Sequence, residues 1–294
     1  MQANEKDGPP RRILLATDLS GRCDRATDRA VYLAKAWNAE LIVLHVMEPE
    51  PIMSGSTYSP SWRIKYDPQQ RAERRVRDEI GEILPGVSVI VERGDPAAAI
   101  LRVAEARSVD FIVSGVARDE PLGRVAIGST VEKVLGRCPC PLLVVRKRGL
   151  RPYRNIVSAT DFSLPSRQAL ETAVRLFPDA AHSVFHAYDA IYSGIVDDAA
   201  GYRRQHRDMA AQDCRKFLEE SELSAIGNRH PGVILEHGAA DQLLSEYALE
   251  NDVDLAVMGT RGHGTLYDIF IGSVAKKLVM SVPCDALLVR PGTA

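Results

Sequence analysis

Short apolar runs alternate along the chain with longer amphipathic stretches. In the first half the apolar runs are ILLAT (13–17), ELIVLHV (40–46), VSVIV (87–91), FIVSG (111–115) and LLVVR (142–146). Near-continuous Val, Ile and Leu runs are typical of strands buried on both faces, as in parallel sheets. Stretches with helical spacing lie between them, at about 22–37, 67–83, 95–107 and 128–137. This alternation of strands and helices predicts a doubly wound α/β domain.

The second half repeats this order. Its apolar runs lie near 154–159, 182–188, 232–236, 254–258 and 286–290. The segments at 53–62 and 192–202 follow the second strand of each half, and we predict that both are loops. Such loops belong to the carboxyl edge of a doubly wound sheet, where ligands bind.

Two pairs of matching segments indicate that the chain contains one domain twice. ILLATDLS (13–20) and IVSATDFS (156–163) share five of eight residues, at an offset of 143. Residues 128–146 and 272–290 share eight of nineteen, at an offset of 144. A repeat of this length is typical of a duplicated domain and not of a solenoid. We therefore predict two tandem Rossmann-like domains, 1–148 and 149–294, that meet near the basic stretch at 147–152. Each would be an open five-stranded parallel sheet with helices on both faces.

The composition is that of an ordinary globular protein. The chain has 294 residues, 45% of them hydrophobic, and its 37 Lys and Arg residues are nearly balanced by 39 Asp and Glu residues. This near-neutral charge argues against nucleic-acid binding, which calls for a basic face. The opening residues lack the apolar core of a secretory signal, and no apolar run is long enough to cross a membrane. Five cysteines, an odd number, argue against a disulfide framework, so we expect a cytoplasmic protein.

A glycine-rich segment of the second half is the strongest candidate for a ligand site. Gly259 ends an apolar run, Gly262 follows it, and Gly272 with Ser273 opens a predicted helix. Glycines at a strand end let the backbone approach a ligand, and a helix N-terminus offers N–H groups and a positive dipole end. These features suit a phosphate, although the Gly-Lys-Ser/Thr ending of a Walker A loop is absent. A glycine-rich turn that only joins strand to helix is the alternative.

Three features together resemble the universal stress protein (UspA-like) family. They are the strand that ends in Thr-Asp, the G-x2-G-x9-G-S spacing and the final PC-x-x-LLVR strand. The resemblance covers both halves, so the chain is similar to a tandem universal stress protein. It implies a five-stranded parallel α/β fold in each half. For many members it also implies ATP binding in stress adaptation without a known turnover reaction, whereas members without the glycine motif do not bind ATP.

The resemblance implies positions for an adenine nucleotide in the second half. Asp161, which follows Thr160 at the end of the first strand, would face the nucleoside, and Ala187 would lie beside the adenine. The glycine loop and the helix after it would hold the phosphates, through Gly259, Arg261, Gly262, His263, Gly272, Ser273 and Val274. We expect any metal to be Mg²⁺ or Mn²⁺ carried by those phosphates, because no Cys or His set has the spacing of a zinc site.

The first half departs from this pattern at one position. Its matching residues are Asp18, Val46, Gly115, Gly128 and Ser129, whereas Arg118 stands where the second glycine is expected. A side chain there would crowd the phosphate path and disfavour a backbone with positive φ. We therefore expect a degenerate site in the first half. Arg118 is either a charged surface residue or itself a phosphate ligand.

Several of these residues also have a structural interpretation. Asp18 and Asp161 each precede a helical pattern, so either could be a helix N-cap. His45 and His186 lie inside strand patterns, where packing or hydrogen bonding is commoner than catalysis. Cys284 and its counterpart in the first half begin the last strands, which favours a packing role.

Three functions are compatible with these residues. The first is a nucleotide-binding regulatory module that works chiefly through the second half. The second is an ATP-using enzyme, although no Walker A lysine and no Asp pair lies near the glycine loop, so we expect at most slow hydrolysis. The third is a nucleotide-free scaffold for protein interaction.

The last strands of the two halves predict how the halves pack. LLVVR and ALLVR are apolar, and an apolar edge strand needs a partner. The family that the chain resembles pairs these strands between subunits. A tandem chain is therefore expected to pair them internally, with its halves as a pseudo-two-fold pair. A homodimer of whole chains is compatible with the sequence but is not required by it.

Overall fold

The first half folds as the alternation of apolar and amphipathic stretches predicts. A computed structural model of the protein describes residues 8–21, 23–47, 67–80, 84, 86–116, 129–188, 198–223, 230–260 and 272–291. The strands of the first half are β1 (Arg12–Thr17), β2 (Glu40–Met47), β3 (Ser88–Arg93), β4 (Phe111–Gly115) and β5 (Leu142–Val145). Its helices are α1 (Asp24–Trp37), α2 (Pro68–Ile80), α3 (Pro96–Ala106) and α4 (Ser129–Leu135).

The second half has the same order of elements. Its strands are β6 (Asn155–Ala159), β7 (Ala181–Tyr188), β8 (Gly232–His237), β9 (Leu255–Gly259) and β10 (Asp285–Val289). Its helices are α5 (Leu164–Leu176), α6 (Ala199–Glu219), α7 (Ala240–Glu250) and α8 (Ser273–Ser281). Helix α5 begins directly after Ser163. Ser163 caps it by accepting a hydrogen bond from the backbone amide of Ser166, and a proline in the first turn favours the helix start.

The ten described strands form one continuous sheet. Their order is β3-β2-β1-β4-β5-β10-β9-β6-β7-β8. Neighbouring strands within each half are parallel, whereas β5 and β10 are antiparallel, with Leu143 opposite Leu287. The predicted doubly wound parallel sheet of each half is therefore confirmed. The predicted pairing of the last strands is confirmed as well, and it leaves β3 and β8 as the edges of the sheet.

Helices cover both faces of this sheet. Buried residues of α3, α4, α7 and α8 pack on one face, and buried residues of α1, α2 and α5 pack on the other. Helix α6 extends the second layer over β7 through Cys214 and Phe217. The central strands are apolar on both sides because both sides are covered.

A buried ion pair fixes the corner at which the two halves meet. Asp285 is fully buried, and its Oδ2 accepts a hydrogen bond from the hydroxyl of Tyr153 at 2.7 Å and lies 3.6 Å from Nε of Arg29. Its Oδ1 accepts hydrogen bonds from the backbone amides of Arg146 and Lys147, at 2.7 and 2.9 Å. Burial, followed by the charge of Asp285, raises the pKa of Tyr153 well above its ordinary value. One carboxylate of the second half therefore holds the linker and α1 of the first.

One predicted loop is partly wrong. Residues 199–202 of the predicted loop at 192–202 are the first turn of α6. Asp198 caps this helix, because its carboxylate accepts a hydrogen bond from the backbone amide of Gly201 at 2.7 Å. Asp198 and Gly201 therefore belong to a helix start. Residues 192–197 and the other predicted loop, 53–62, lie outside the described residues.

Candidate functional site

The candidate site lies where the strand order of the second half reverses. Strand β6 has β7 on one side and β9 on the other, and Ala159 is in register with Met258. The next residues, Thr160 and Gly259, are therefore neighbours at the carboxyl edge of the sheet. Ligands of doubly wound folds bind in the crevice at such a switch point.

Thr160 organises the turn that leaves β6. It is buried, and its hydroxyl accepts a hydrogen bond from the amide of Phe162 at 2.8 Å and lies 2.8 Å from the hydroxyl of Ser166. Phe162 has a φ of 63°, in the left-handed region that a large side chain rarely adopts. The buried hydroxyl thus stabilises a bent backbone just ahead of α5.

Asp161 projects from this turn at the surface. Its Oδ1 accepts hydrogen bonds from both the backbone amide and the hydroxyl of Ser163. The N-cap of α5 is Ser163, so the interpretation of Asp161 as a helix cap is wrong. Both hydrogen bonds join residues only two positions apart, so the turn by itself fixes the position of the carboxylate. This position is at the mouth of the crevice.

His186 supports the same turn from the neighbouring strand. Its Nδ1 lies 2.8 Å from the carbonyl oxygen of Thr160, and its ring lies 4.2 Å from the ring of Phe162. This confirms the expectation that the strand histidine is hydrogen-bonded. The histidine therefore acts on the site through Thr160 and Phe162, by fixing the position of their backbone.

The first half contains the same turn at the end of β1. The hydroxyl of Thr17 accepts a hydrogen bond from the amide of Leu19 at 3.1 Å, and Leu19 has a φ of 57°. Asp18 accepts a hydrogen bond from the amide of Ser20 at 2.8 Å, and His45 lies 3.0 Å from the carbonyl oxygen of Thr17.

Two interpretations of the first-half turn follow from its neighbours. Cys23, and not Asp18, occupies the N-cap position of α1, so the helix-cap interpretation of Asp18 is also wrong. Cys23 takes the place of Ser166 in the repeat and interacts with Thr17 and Asp18. Burial and the nearby Asp18 together raise the pKa of the Cys23 thiol, so the thiol stays neutral.

Gly259 is glycine because α5 packs against it. A Cβ atom built on Gly259 would lie 2.9 Å from the carbonyl oxygen of Pro165 and 3.2 Å from the amide nitrogen of Ser166. The close approach that the sequence suggested is therefore an approach to the first turn of α5. This packing reason was not visible in the sequence, because Pro165 and Gly259 are far apart along the chain. A contact between Gly259 and phosphate stays a prediction.

Helix α8 begins at the same edge of the sheet. The amide of Gly272 donates a hydrogen bond to the carbonyl oxygen of Thr260 at 3.0 Å, so the chain leaves β9 and returns to the same point. Gly272 occupies the N-cap position with no side-chain cap, and Ser273 and Val274 form an exposed first turn. The amides of this turn and the hydroxyl of Ser273 suit an anion such as phosphate.

Several predicted site residues lie outside the described residues. These are Arg261, Gly262 and His263 in the second half and Arg118 and Gly128 in the first. Gly115 ends β4, and Ser129 begins α4. The described chain thus places the ends of both glycine loops at the switch points of the two halves.

A cavity of about 550 Å³ opens beside Asp161 on the α6 side of the sheet. Phe162, His186 and Tyr188 line it from the sheet, and Phe217 lines it from α6. Ala187 points the other way and packs against the core beneath α7, so the structure does not bring Ala187 and Asp161 into one cavity. Val46 packs on the corresponding core of the first half.

The described residues hold no group of three or more His, Cys, Asp or Glu side chains that could bind a metal ion. The five cysteines are unpaired and buried. No helix in the described part of the chain has the length and apolarity needed to cross a bilayer.

Comparison with known proteins identifies the family. The model of the universal stress protein family matches residues 10–146 and again residues 152–290. A universal stress protein of Thermus aquaticus is 35% identical over 138 residues, which is 46% of this chain and 97% of that protein. A universal stress protein of Mycolicibacterium smegmatis is 24% identical over 301 residues and covers 95% of this chain and 97% of its own length.

Solved structures agree on the fold. The crystal structure of a universal stress protein from Archaeoglobus fulgidus superimposes with a TM-score of 0.64 at 19% identity, over 96% of this chain and 99% of that one. This likeness shows the shared architecture alone. Because the family model covers both halves, the chain belongs to the universal stress protein family and carries the family's domain twice.

Proposed function

We propose that the second half binds an adenine nucleotide at its switch point and that the protein acts as a regulatory binding module in stress adaptation. One observation carries this proposal. The uncapped first turn of α8 is held at the end of β9 by the 3.0 Å hydrogen bond between Gly272 and Thr260, beside the turn that presents Asp161. Amides for an anion and a carboxylate for a sugar hydroxyl thus lie at one sheet edge.

The roles in this proposal follow the position of each group. The amides of Ser273 and Val274, together with the hydroxyl of Ser273, would hold phosphate oxygens at the positive end of α8. Asp161 would accept a hydrogen bond from the nucleoside. The proposal assigns the remaining phosphate contacts to Arg261, Gly262 and His263, on the family resemblance of their loop.

Binding is proposed as the function, with hydrolysis slow at most. His186 is engaged with the carbonyl oxygen of Thr160, so it is held as a support and not aimed as a base. Mg²⁺ or Mn²⁺ would accompany the nucleotide through its phosphates. The buried, unpaired cysteines fit a reducing compartment, so we place this function in the cytoplasm.

The test is whether nucleotide stays with the protein. The full chain is purified without added nucleotide, denatured, and the released small molecules are identified by mass spectrometry. We expect an adenine nucleotide at close to one per chain. A chain that releases none, and that gives no heat when ATP is added, would instead be a nucleotide-free scaffold.

A turnover assay separates the binding module from an enzyme. We expect labelled ATP to be recovered intact after many binding and release cycles. Steady release of phosphate at an ordinary enzymatic rate of about 1 s⁻¹ or more would overturn the proposed role as a binding module.

A further inference from the structure

A second cleft lies between the two halves, at the carboxyl edge of the first half, where Val116 follows β4 and Arg146 follows β5. It has a volume of about 1070 Å³ and is lined from both halves and from the linker. Arg25 and Val116 line it from the first half, and residues 280–283 line it from the end of α8. The antiparallel pairing of β5 with β10 places the end of β5 and the linker beside the start of β10, and the cleft lies there.

A buried cation forms the base of this cleft. Arg146 is 8% exposed, and one of its terminal nitrogens donates a hydrogen bond to the carbonyl oxygen of Val279 near the end of α8. Its Nε is buried and has no hydrogen-bond partner. Arg146 also lines the cleft and contributes its positive charge there. Burial also lowers the pKa of Arg146.

Further cations surround the mouth. Lys147, Arg148 and Lys277 are exposed and line the cleft together with Arg25. Arg148 is paired with Asp28 at 3.0 Å, whereas within the described chain neither lysine has a carboxylate at salt-bridge distance. Asp241 is the one carboxylate among the described lining residues. The lining therefore carries five cationic side chains against one acidic side chain.

Three of the five cations have no cationic counterpart in the repeat. By the offset of 144, Pro291 and Gly292 stand where Lys147 and Arg148 stand, and by the offset of 143, Gln168 corresponds to Arg25. The opposite corner of the pseudo-two-fold pair thus lacks three of the five cations. The positive field of this corner is therefore stronger than the repeat alone would give it.

We propose that this cleft binds a small anion that carries a polyphosphate chain, as a site separate from the nucleotide site of the second half. Several cations spaced around an open cleft match several phosphates better than a single carboxylate. The apolar side chains of Val116, Met280 and Val282 offer room for an organic group beside the phosphates. Residues 280–283, which line the cleft, lie about 12 Å along α8 from its first turn, at 1.5 Å per residue. The cleft is therefore separate from the proposed phosphate site at that turn.

The test uses sodium tripolyphosphate as the probe and the full chain. The cleft variant is Lys147→Gln/Lys277→Gln, which removes two exposed amines and leaves the buried Arg146 in place. The matched control is Lys35→Gln/Arg77→Gln, which removes the same charge from exposed positions outside the cleft. Calorimetric titration at low ionic strength is expected to show binding to the wild type and a loss of about tenfold or more in the cleft variant. The control is expected to change less than about twofold.

A Gly262→Arg variant separates the cleft from the nucleotide site. This variant is expected to lose any tripolyphosphate binding at the nucleotide site and to keep the binding that depends on Lys147 and Lys277. In the same variant, the affinity for ATP is compared with the affinity for tripolyphosphate. Tighter binding of ATP that also depends on the two lysines would identify a nucleotide as the ligand. Equal affinities would identify a polyphosphate without an organic group as the ligand. The proposal is overturned if the wild type does not bind tripolyphosphate, if the control loses as much as the cleft variant, or if Gly262→Arg alone removes binding.

Discussion

The first and second halves build the end of their first strand in the same way. In each, a threonine hydroxyl holds a turn with positive φ, an aspartate bonds the chain two residues on, and a strand histidine contacts the threonine carbonyl oxygen. The contact is 3.0 Å from His45 to Thr17 and 2.8 Å from His186 to Thr160. Every part of this frame lies within one half, so each half forms it independently of the other.

The halves differ where they meet each other. Arg29, Tyr153 and Asp285 form a buried charged cluster, whereas Thr172, Pro10 and Pro141 occupy the equivalent positions by the repeat offset. The two corners of the pair are thus chemically unlike. Residues of the common frame thus repeat, whereas the residues of this cluster, which joins the halves, do not.

The halves also differ in the glycine loop. Gly262 of the second half corresponds to Arg118 of the first. Since the described ends of both loops sit at equivalent switch points, this substitution is the basis for expecting unequal ligand binding.

The largest effect is expected from the buried cluster. Asp285→Ala leaves Arg29 buried without its counter-charge and removes the acceptor for Tyr153. We expect a loss of about 3–5 kcal/mol in the free energy of unfolding, measured by urea denaturation. Arg29→Met/Asp285→Ala should cost less than the two single changes added together, because the uncompensated charge is gone. Pro141→Ala is the control at the equivalent position. If it lowers the free energy of unfolding as much as Asp285→Ala does, the two corners do not differ in their contribution to stability.

A smaller effect is expected inside the glycine motif. Gly259→Ser forces a Cβ against the backbone of Pro165, so it should destabilise the protein by about 1–3 kcal/mol. Gly272→Ser meets only the carbonyl oxygen of Thr260 at 3.9 Å and provides a helix cap, so it should change stability by less than about 0.5 kcal/mol. Thermal unfolding of the two variants decides, and equal costs would contradict the packing reason given for Gly259.

Alkaline pH should lower the free energy of unfolding through Cys284, which lies just before β10. Burial raises the pKa of the Cys284 thiol from 9.0 to about 11. Between these values the unfolded chain has already released the proton and the folded chain has not, so stability falls as pH rises. The cost from this thiol should reach roughly 3 kcal/mol above pH 11 and be absent well below pH 9. Cys284→Ala should flatten the slope between pH 9 and 11, and an unchanged slope would show that the thiol does not titrate as described.

The smallest difference is expected between the two strand-end threonines. Thr160→Val removes an acceptor for the amide of Phe162 and the partner of the Ser166 hydroxyl, at a cost of about 1 kcal/mol. Thr17→Val should cost less, since Cys23 supplies a thiol where Ser166 supplies a hydroxyl, and thiols are weaker hydrogen-bonding groups. Urea midpoints for the two variants give the comparison, which fails if Thr17→Val is the costlier change.

Periodicity was enough to predict most of the fold. The apolar runs became β1 to β10, and the apolar last strands, with the family resemblance, predicted that β5 and β10 pair. The start of α6 was missed because Asp198 and Gly201 read equally well as a loop or as a capped helix.

The candidate site was predictable only in part. The start of α8 follows from the glycine spacing, which is a local signal, whereas the role of Asp161 is implied by the family resemblance. The roles of Ser166 and Pro165 depend on contacts across the sheet edge. The cluster around Asp285 joins residues more than a hundred positions apart, as in its hydrogen bond with Tyr153 across 132 positions. A single sequence carries no signal for such contacts, because no periodicity or spacing connects their partners.

Calorimetric titration of the full chain with ATP and Mg²⁺ tests the central claim most directly, using the wild type, Gly262→Arg and Arg118→Gly. The account predicts one strong site per chain in the wild type and a loss of about tenfold or more in Gly262→Arg, because each 1.4 kcal/mol corresponds to about tenfold in affinity. Arg118→Gly should keep the strong site and add affinity in the first half. If Gly262→Arg binds ATP like the wild type, or if Arg118→Gly is the variant that loses affinity, the first half is the nucleotide site and the account is contradicted.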